Sequence, residues 1–66
     1  MTLKKVKAYN GSIQYAHIVY KDGKTWIERT VYEDENGVFY VKINDYLFKI
    51  SDLLDFGDKV TYFTKD

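Results

Sequence analysis

Residues 13–31 read IQYAHIVYKDGKTWIERTV, two runs rich in β-branched and aromatic side chains joined at Asp22-Gly23. A two-residue hairpin turn needs positive φ at its central positions, which Asp-Gly and Asn-Gly tolerate best. The same signal stands upstream at Asn10-Gly11 and downstream at Asn36-Gly37. Spacings of 12 and 14 residues between these turns predict an up-and-down antiparallel meander.

Taking each turn as a two-residue loop fixes the cross-strand pairs. Ala8 then faces Ile13 and Val6 faces Tyr15 around the first turn. Val19 faces Trp26, His17 faces Glu28 and Ile13 faces Tyr32 around the second. Around the third, Tyr32 faces Val41 and Thr30 faces Ile43. Directly opposed residues share one side of a sheet. One side thus collects Val6, Ala8, Ile13, Tyr15, Val19, Trp26, Tyr32, Phe39, Val41 and Ile43, and it is expected to be the core. A four-residue third loop, Asp34 to Gly37, keeps this parity, whereas a three- or five-residue loop flips the next strand. The acidic run Glu33-Asp34-Glu35 reads as a solvated tip.

Beyond Ile43 the pattern is shorter. Asn44-Asp45 suggests another turn, and Tyr46-Leu47-Phe48-Lys49-Ile50 alternates, with Tyr46, Phe48 and Ile50 together. Ser51 or Asp52 is expected to cap a helical turn through Leu53, Leu54 and Phe56 that Gly57 ends. Asp58 to Thr64 reads as a last strand with Val60 and Tyr62 inward. The expected fold is all-β, a small antiparallel meander or SH3-like barrel of five or six strands with one short helical turn before the last strand. An open meander capped by the C-terminal segment ranks second and an OB-like barrel third.

A chain of 66 residues is expected to form one small β-rich domain, 1–66, that buries only about 60% of its unfolded surface. It has no cysteine for a disulfide or thiolate metal site, so seven Tyr, four Phe and one Trp must supply much of the buried area. No apolar run follows the N-terminal lysines, so neither a signal peptide nor a membrane partner is expected, and the expected compartment is the cytoplasm. Formal charge is zero, but residues 1–31 carry +4 and residues 32–66 carry −4. That asymmetry points to distinct faces or to attraction between the halves.

Catalytic chemistry has little to stand on. Ser12 and Ser51 already serve a turn and a cap, and the one histidine, His17, faces Glu28. A His–carboxylate pair can relay protons, but it more often satisfies two polar groups at a core margin. Asp52, Asp55 and Asp58 are spaced by three, without the alternating ligands and bidentate Glu of a calcium loop. The four glycines are dispersed turn residues, so no catalytic site, cofactor or metal is expected.

The opposite side of the meander carries the functional expectation. It holds Lys5, Lys7, Tyr9, Ala16, Ile18, Tyr20, Ile27, Arg29, Val31, Tyr40 and Lys42. An apolar centre framed by tyrosines and basic groups suits a partner better than water. Tyr9, Ile18, Tyr20, Ile27, Arg29, Tyr40 and Lys42 are therefore the candidate partner-binding residues. A second copy of the chain or internal burial in a second small core would also account for them. The expected function is a small non-enzymatic protein-binding module, an accessory or inhibitor protein that occludes its partner. Nine Lys against one Arg suggests an AT-rich coding source such as a phage. The alternative is a nucleic-acid-binding small β-barrel using the Tyr/Lys face, or a nucleic-acid mimic using the acidic half. Zero net charge weighs against phosphate binding.

Overall fold

The computed structural model describes residues 1–65 and is mostly β. Its elements are β1 (Lys4–Lys5), β2 (Gln14–Val19), β3 (Trp26–Thr30), β4 (Tyr32–Glu33), β5 (Phe39–Ile43), β6 (Tyr46–Lys49), α1 (Ile50–Asp55) and β7 (Lys59–Thr64). They form two antiparallel sheets, one in the order β1-β4-β5-β6 and one in the order β3-β2-β7. The two ladders are separate, so the described residues form no closed barrel. They meet at a corner where Val6 and Gln14 both bond to backbone across the junction. There the Val6 N–H donates to the Val31 carbonyl (3.0 Å), and the Gln14 N–H donates to that of Val6 (2.9 Å). The Val31 N–H in turn donates to Gln14 O (3.1 Å).

The Asp22-Gly23 hairpin keeps the expected register. Val19 pairs with Trp26, Ile18 with Ile27 and His17 with Glu28. Its connection is longer than two residues, because Tyr20 and Thr25 already bond across it and Gly23 alone takes positive φ. Four loop residues preserve the parity of two, so the pairs survive the error in turn type.

The two Asn-Gly loops do not preserve it. Ala8 N–H donates to Ser12 O and Gly11 N–H to Ala8 O, which is a three-residue loop closed by a left-handed glycine. Asp34 N–H to Val38 O and Gly37 N–H to Asp34 O repeat that arrangement. Tyr32 therefore faces Tyr40 and Glu33 faces Phe39, one residue out of the expected register. The first strand departs further. Lys5 faces Tyr32 and Lys4 faces Glu33, and β1 touches the start of β2 only through a Lys7–Ile13 bridge. Among the described residues the one two-residue hairpin is Asn44-Asp45, where both residues take positive φ and Ile43 faces Tyr46.

These shifts correct the expected core. Ala16, Ile18, Val31 and Val41 are wholly buried, with Ile50 and Leu53 beside them and Val6, Ile27, Ile43 and Val60 packed around. In the β3-β2-β7 sheet the inward side is thus the even-numbered side of β2, opposite to the expected one. Trp26, expected in the core, is 59% exposed. Small and branched side chains let the second sheet approach closely, whereas rings with polar handles tolerate the wet side.

The C-terminal third closes the open end of this core. Ile50 and Leu53 are the buried residues of α1. No side chain caps the helix at Lys49, so neither Ser51 nor Asp52 takes the expected role. Gly57 does end it: the Asp58 N–H reaches Leu53 O and the Gly57 N–H reaches Leu54 O, at φ +91°. β7 then returns antiparallel beside β2, with Ile18 facing Val60 and Tyr15 facing Phe63. Of the expected row Tyr46, Phe48 and Ile50, Ile50 alone is buried, because β6 is an edge strand. The acidic tip is corrected too, since Asp34 is buried. No helix among the described residues is long and apolar enough to cross a membrane.

Candidate functional site

The expected partner-binding residues do not come together. Ile18 is fully buried, Ile27 packs against the core and Tyr40 is buried, so these three are corrected from the exposed face to the interior. Tyr9 stands fully exposed on the first hairpin, whereas Tyr20 follows the opposite end of β2. Arg29 turns its guanidinium to the Glu28 carbonyl (2.8 Å). Lys42 lies on the other sheet, its Nζ 5.2 Å above the Tyr32 ring.

A different surface emerges from the strand register. On β2 the odd-numbered residues face out, and their neighbours across the ladders share that face. Tyr15 lies between Thr30 and Phe63, His17 between Glu28 and Thr61, and Val19 between Trp26 and Lys59. Each of three strands therefore adds a large ring or an imidazole to one solvent-facing surface.

Two contacts organise it. The Tyr15 and Phe63 rings stack at 5.7 Å with an interplanar angle of 26°. His17 meets Trp26 edge to face at 5.3 Å and 79°, across the diagonal of the β2–β3 ladder. Lys65 bridges the remaining ground: its Nζ lies 5.1 Å from the centre of Tyr15, 5.9 Å from that of Phe63 and 3.3 Å from Glu28 Oε2. Glu28 lies opposite His17 as expected, but its carboxylate pairs with Lys65 and the imidazole packs on the indole. The rings pack in pairs on a partly solvent-exposed surface.

Elsewhere, side-chain carboxylates hold the loops. Asp34 Oδ1 accepts the N–H groups of Asn36 (2.8 Å) and Val38 (3.0 Å), and Oδ2 accepts the Tyr40 hydroxyl (2.9 Å). The Val38 bond leads in holding this carboxyl below its ordinary pKa, against the opposing push of burial, with the Tyr40 and Asn36 bonds and the Lys49 charge helping. Tyr40 is pushed up, first by its bond to Asp34. Asp22 closes its own turn by accepting from Lys24 and Thr25, and its carboxyl is lowered chiefly by the Thr25 N–H. Asp58, one of the three spaced aspartates, accepts the Lys21 N–H at 2.9 Å and ties α1 to the second hairpin. A cleft of about 240 Å³ opens beside Gln14, Val31, Phe39 and Tyr62, and a larger, shallow one of about 440 Å³ beside Thr2, Lys4, Glu33 and Glu35.

The signal for the aromatic face was present in the residues: Tyr15, His17, Val19 and Trp26 already shared a side in the correct register. That side was expected to be the inner one, and the buried Ala16 and Ile18 put it outside. Phe63 joins that face only because β7 returns beside β2, which no local pattern announces. No family model, curated protein or solved structure matches this chain.

Proposed function

We propose that this chain is a small non-enzymatic protein-binding module that docks through the outer face of β3-β2-β7. The observation that carries the reading is Trp26, 59% exposed beside His17 on a face that also carries the Tyr15–Phe63 stack. A solvated antiparallel sheet ordinarily presents polar residues there. Trp and Tyr dominate binding hot spots because they desolvate large areas at little cost in side-chain freedom. Rings already packed in pairs lower that cost further. Lys59, Lys65 and Glu28 form the polar rim. A compact chain of this kind acts by covering a partner's surface, as an accessory or inhibitor protein of the phage type would. The order of strands, one helical turn and a returning last strand supports likeness to a small SH3-like barrel.

A second reading rests on Lys65 above the stacked Tyr15 and Phe63 rings. Stacked rings beside a cation also suit the bases of a single-stranded nucleic acid. Capture from lysate with immobilised wild-type protein and its Trp26→Ala variant, each with and without nuclease, separates the two. A protein retained after nuclease by wild type and lost by the variant supports the first reading. Recovered nucleic acid supports the second, and equal capture by both proteins removes Trp26 from the site.

A further inference from the structure

We propose that β7 pairs antiparallel with the β7 of a second copy, joining two β3-β2-β7 sheets into one six-stranded sheet about a two-fold axis at Thr61. The inference starts from the direction of the backbone groups. Tyr20 and Thr25 exchange a ladder bond, as do Gln14 and Val31, so the even-numbered residues of β2 bond towards β3. The odd-numbered ones, Tyr15, His17 and Val19, must bond towards β7, where they face Phe63, Thr61 and Lys59. Within β7 the N–H and C=O groups of Val60, Tyr62 and Thr64 therefore point away from the sheet, and no strand among the described residues lies beyond them.

Such an edge is a template for another strand unless something blunts it. The chain contains no proline, β7 carries no bulge, and its one charged residue, Lys59, stands at its start. A net charge of zero adds no general repulsion between copies.

Charge distinguishes between the registers open to a second copy. Two antiparallel registers pair five residues of each β7 and use the outward groups of its even-numbered residues. One places Tyr62 opposite its symmetry mate, and it sets Lys59 against Lys65 of the other copy at both ends. Like charges directly opposed are destabilising. The other places Thr61 opposite its mate, Val60 opposite Tyr62, Asp58 opposite Thr64 and Lys59 opposite Phe63. No like charges are directly opposed there, the two lysines Lys59 and Lys65 standing only diagonal to each other, and Lys59 lies across from an aromatic ring. A Thr–Thr pair is also favourable in a sheet. The same register keeps both aromatic faces on one side, so one row runs Trp26, Val19, Lys59 and then Phe63 and Tyr15 of the second copy.

Thr61 decides the matter experimentally, because it is exposed and its side chain lies on the outer face. The wild-type protein is expected to show twice its chain mass in light scattering at micromolar to millimolar concentration. Thr61→Lys and Thr61→Glu should each be monomers with unchanged circular dichroism, and mixing them in equal amounts should restore the dimer. Opposed non-bonded residues have Cα atoms about 4.5 Å apart, within disulfide reach. Thr61→Cys, in a chain with no other cysteine, should therefore oxidise to a covalent dimer, whereas Thr64→Cys should not. A wild type that stays monomeric throughout overturns the proposal. So does a dimer that persists in both charged variants and fails to cross-link through Cys at 61.

Discussion

The Tyr40 hydroxyl donates to the buried Asp34 carboxylate at 2.9 Å, joining the loop before β5 to the first turn of that strand. Both groups are shifted, in opposite directions. Asp34 is held below its ordinary pKa chiefly by the Val38 N–H, and Tyr40 is raised chiefly by its bond to Asp34. A carboxyl with a depressed folded pKa contributes stability that is present above its unfolded value and lost as pH falls through the folded one. A raised tyrosine contributes below its unfolded value and loses it as pH climbs through the folded one. The urea midpoint should therefore stay level around neutrality, fall below about pH 4 and fall again above about pH 10. Asp34→Asn should lower the neutral midpoint and flatten the acid limb. Tyr40→Phe should flatten the alkaline limb, and an unchanged pH profile in both variants would remove the pair from the fold's support.

Trp26→Ala should leave the domain folded. Its indole is mostly in water and its ring contact among the described residues is the T-shaped one with His17, a contact worth roughly 0.5–1.5 kcal/mol. The loss in unfolding free energy should stay within about 1.5 kcal/mol, and the wild-type protein should fluoresce with a solvent-exposed emission maximum. A blue-shifted maximum in the wild type, or an unfolded variant, would return Trp26 to the core.

The Asp22-Gly23 register, the β2–β3 and β4–β5–β6 hairpin neighbours, the helical turn and its glycine stop were legible in the residues. Each depends on local chemistry: a left-handed glycine, an alternating run, a helix end. The inner side of β2 was not legible, because both of its sides are apolar enough to be buried. Choosing between Ala16 with Ile18 and Tyr15 with Val19 needs the second sheet, whose register turns on one residue in each Asn-Gly loop. Asn10-Gly11 and Asn36-Gly37 look like two-residue turns, but each lies in a three-residue loop closed by its glycine. Asn44-Asp45, with no glycine, forms the tight turn instead. The aromatic face was misread for the same reason: its residues were grouped correctly and assigned to the wrong side.

Gly23 tests turn chemistry without a packing contribution. Its φ is +71°, and a Cβ there would meet nothing within 4 Å. Gly23→Val should cost of order 1–3 kcal/mol from backbone strain alone. Gly23→Asn should cost less, since asparagine enters the left-handed region more readily. Urea midpoints equal to the wild-type value in both variants would mean that this turn accepts any residue, and the hairpin would lose its registering role.

Ile27 and Trp26 are neighbours in β3 whose side chains leave the sheet on opposite sides, so one pair of substitutions identifies the core face. Ile27 packs against the buried cluster of Ala16, Ile18, Val31 and Val41, whereas Trp26 lies on the solvent side. Total stability for a chain of this size is of order 3–10 kcal/mol, at roughly 0.05–0.15 kcal/mol per residue. Truncating a buried isoleucine costs about 2–5 kcal/mol, and an unpaired carboxylate in the same place adds several more. Ile27→Asp should therefore unfold the domain outright, and Ile18→Ala should bring it close to its midpoint without denaturant. Trp26→Asp should keep native circular dichroism and a cooperative urea transition. The reverse outcome, with Ile27→Asp folded and Trp26→Asp unfolded, would place the core on the aromatic side and remove the proposed docking face.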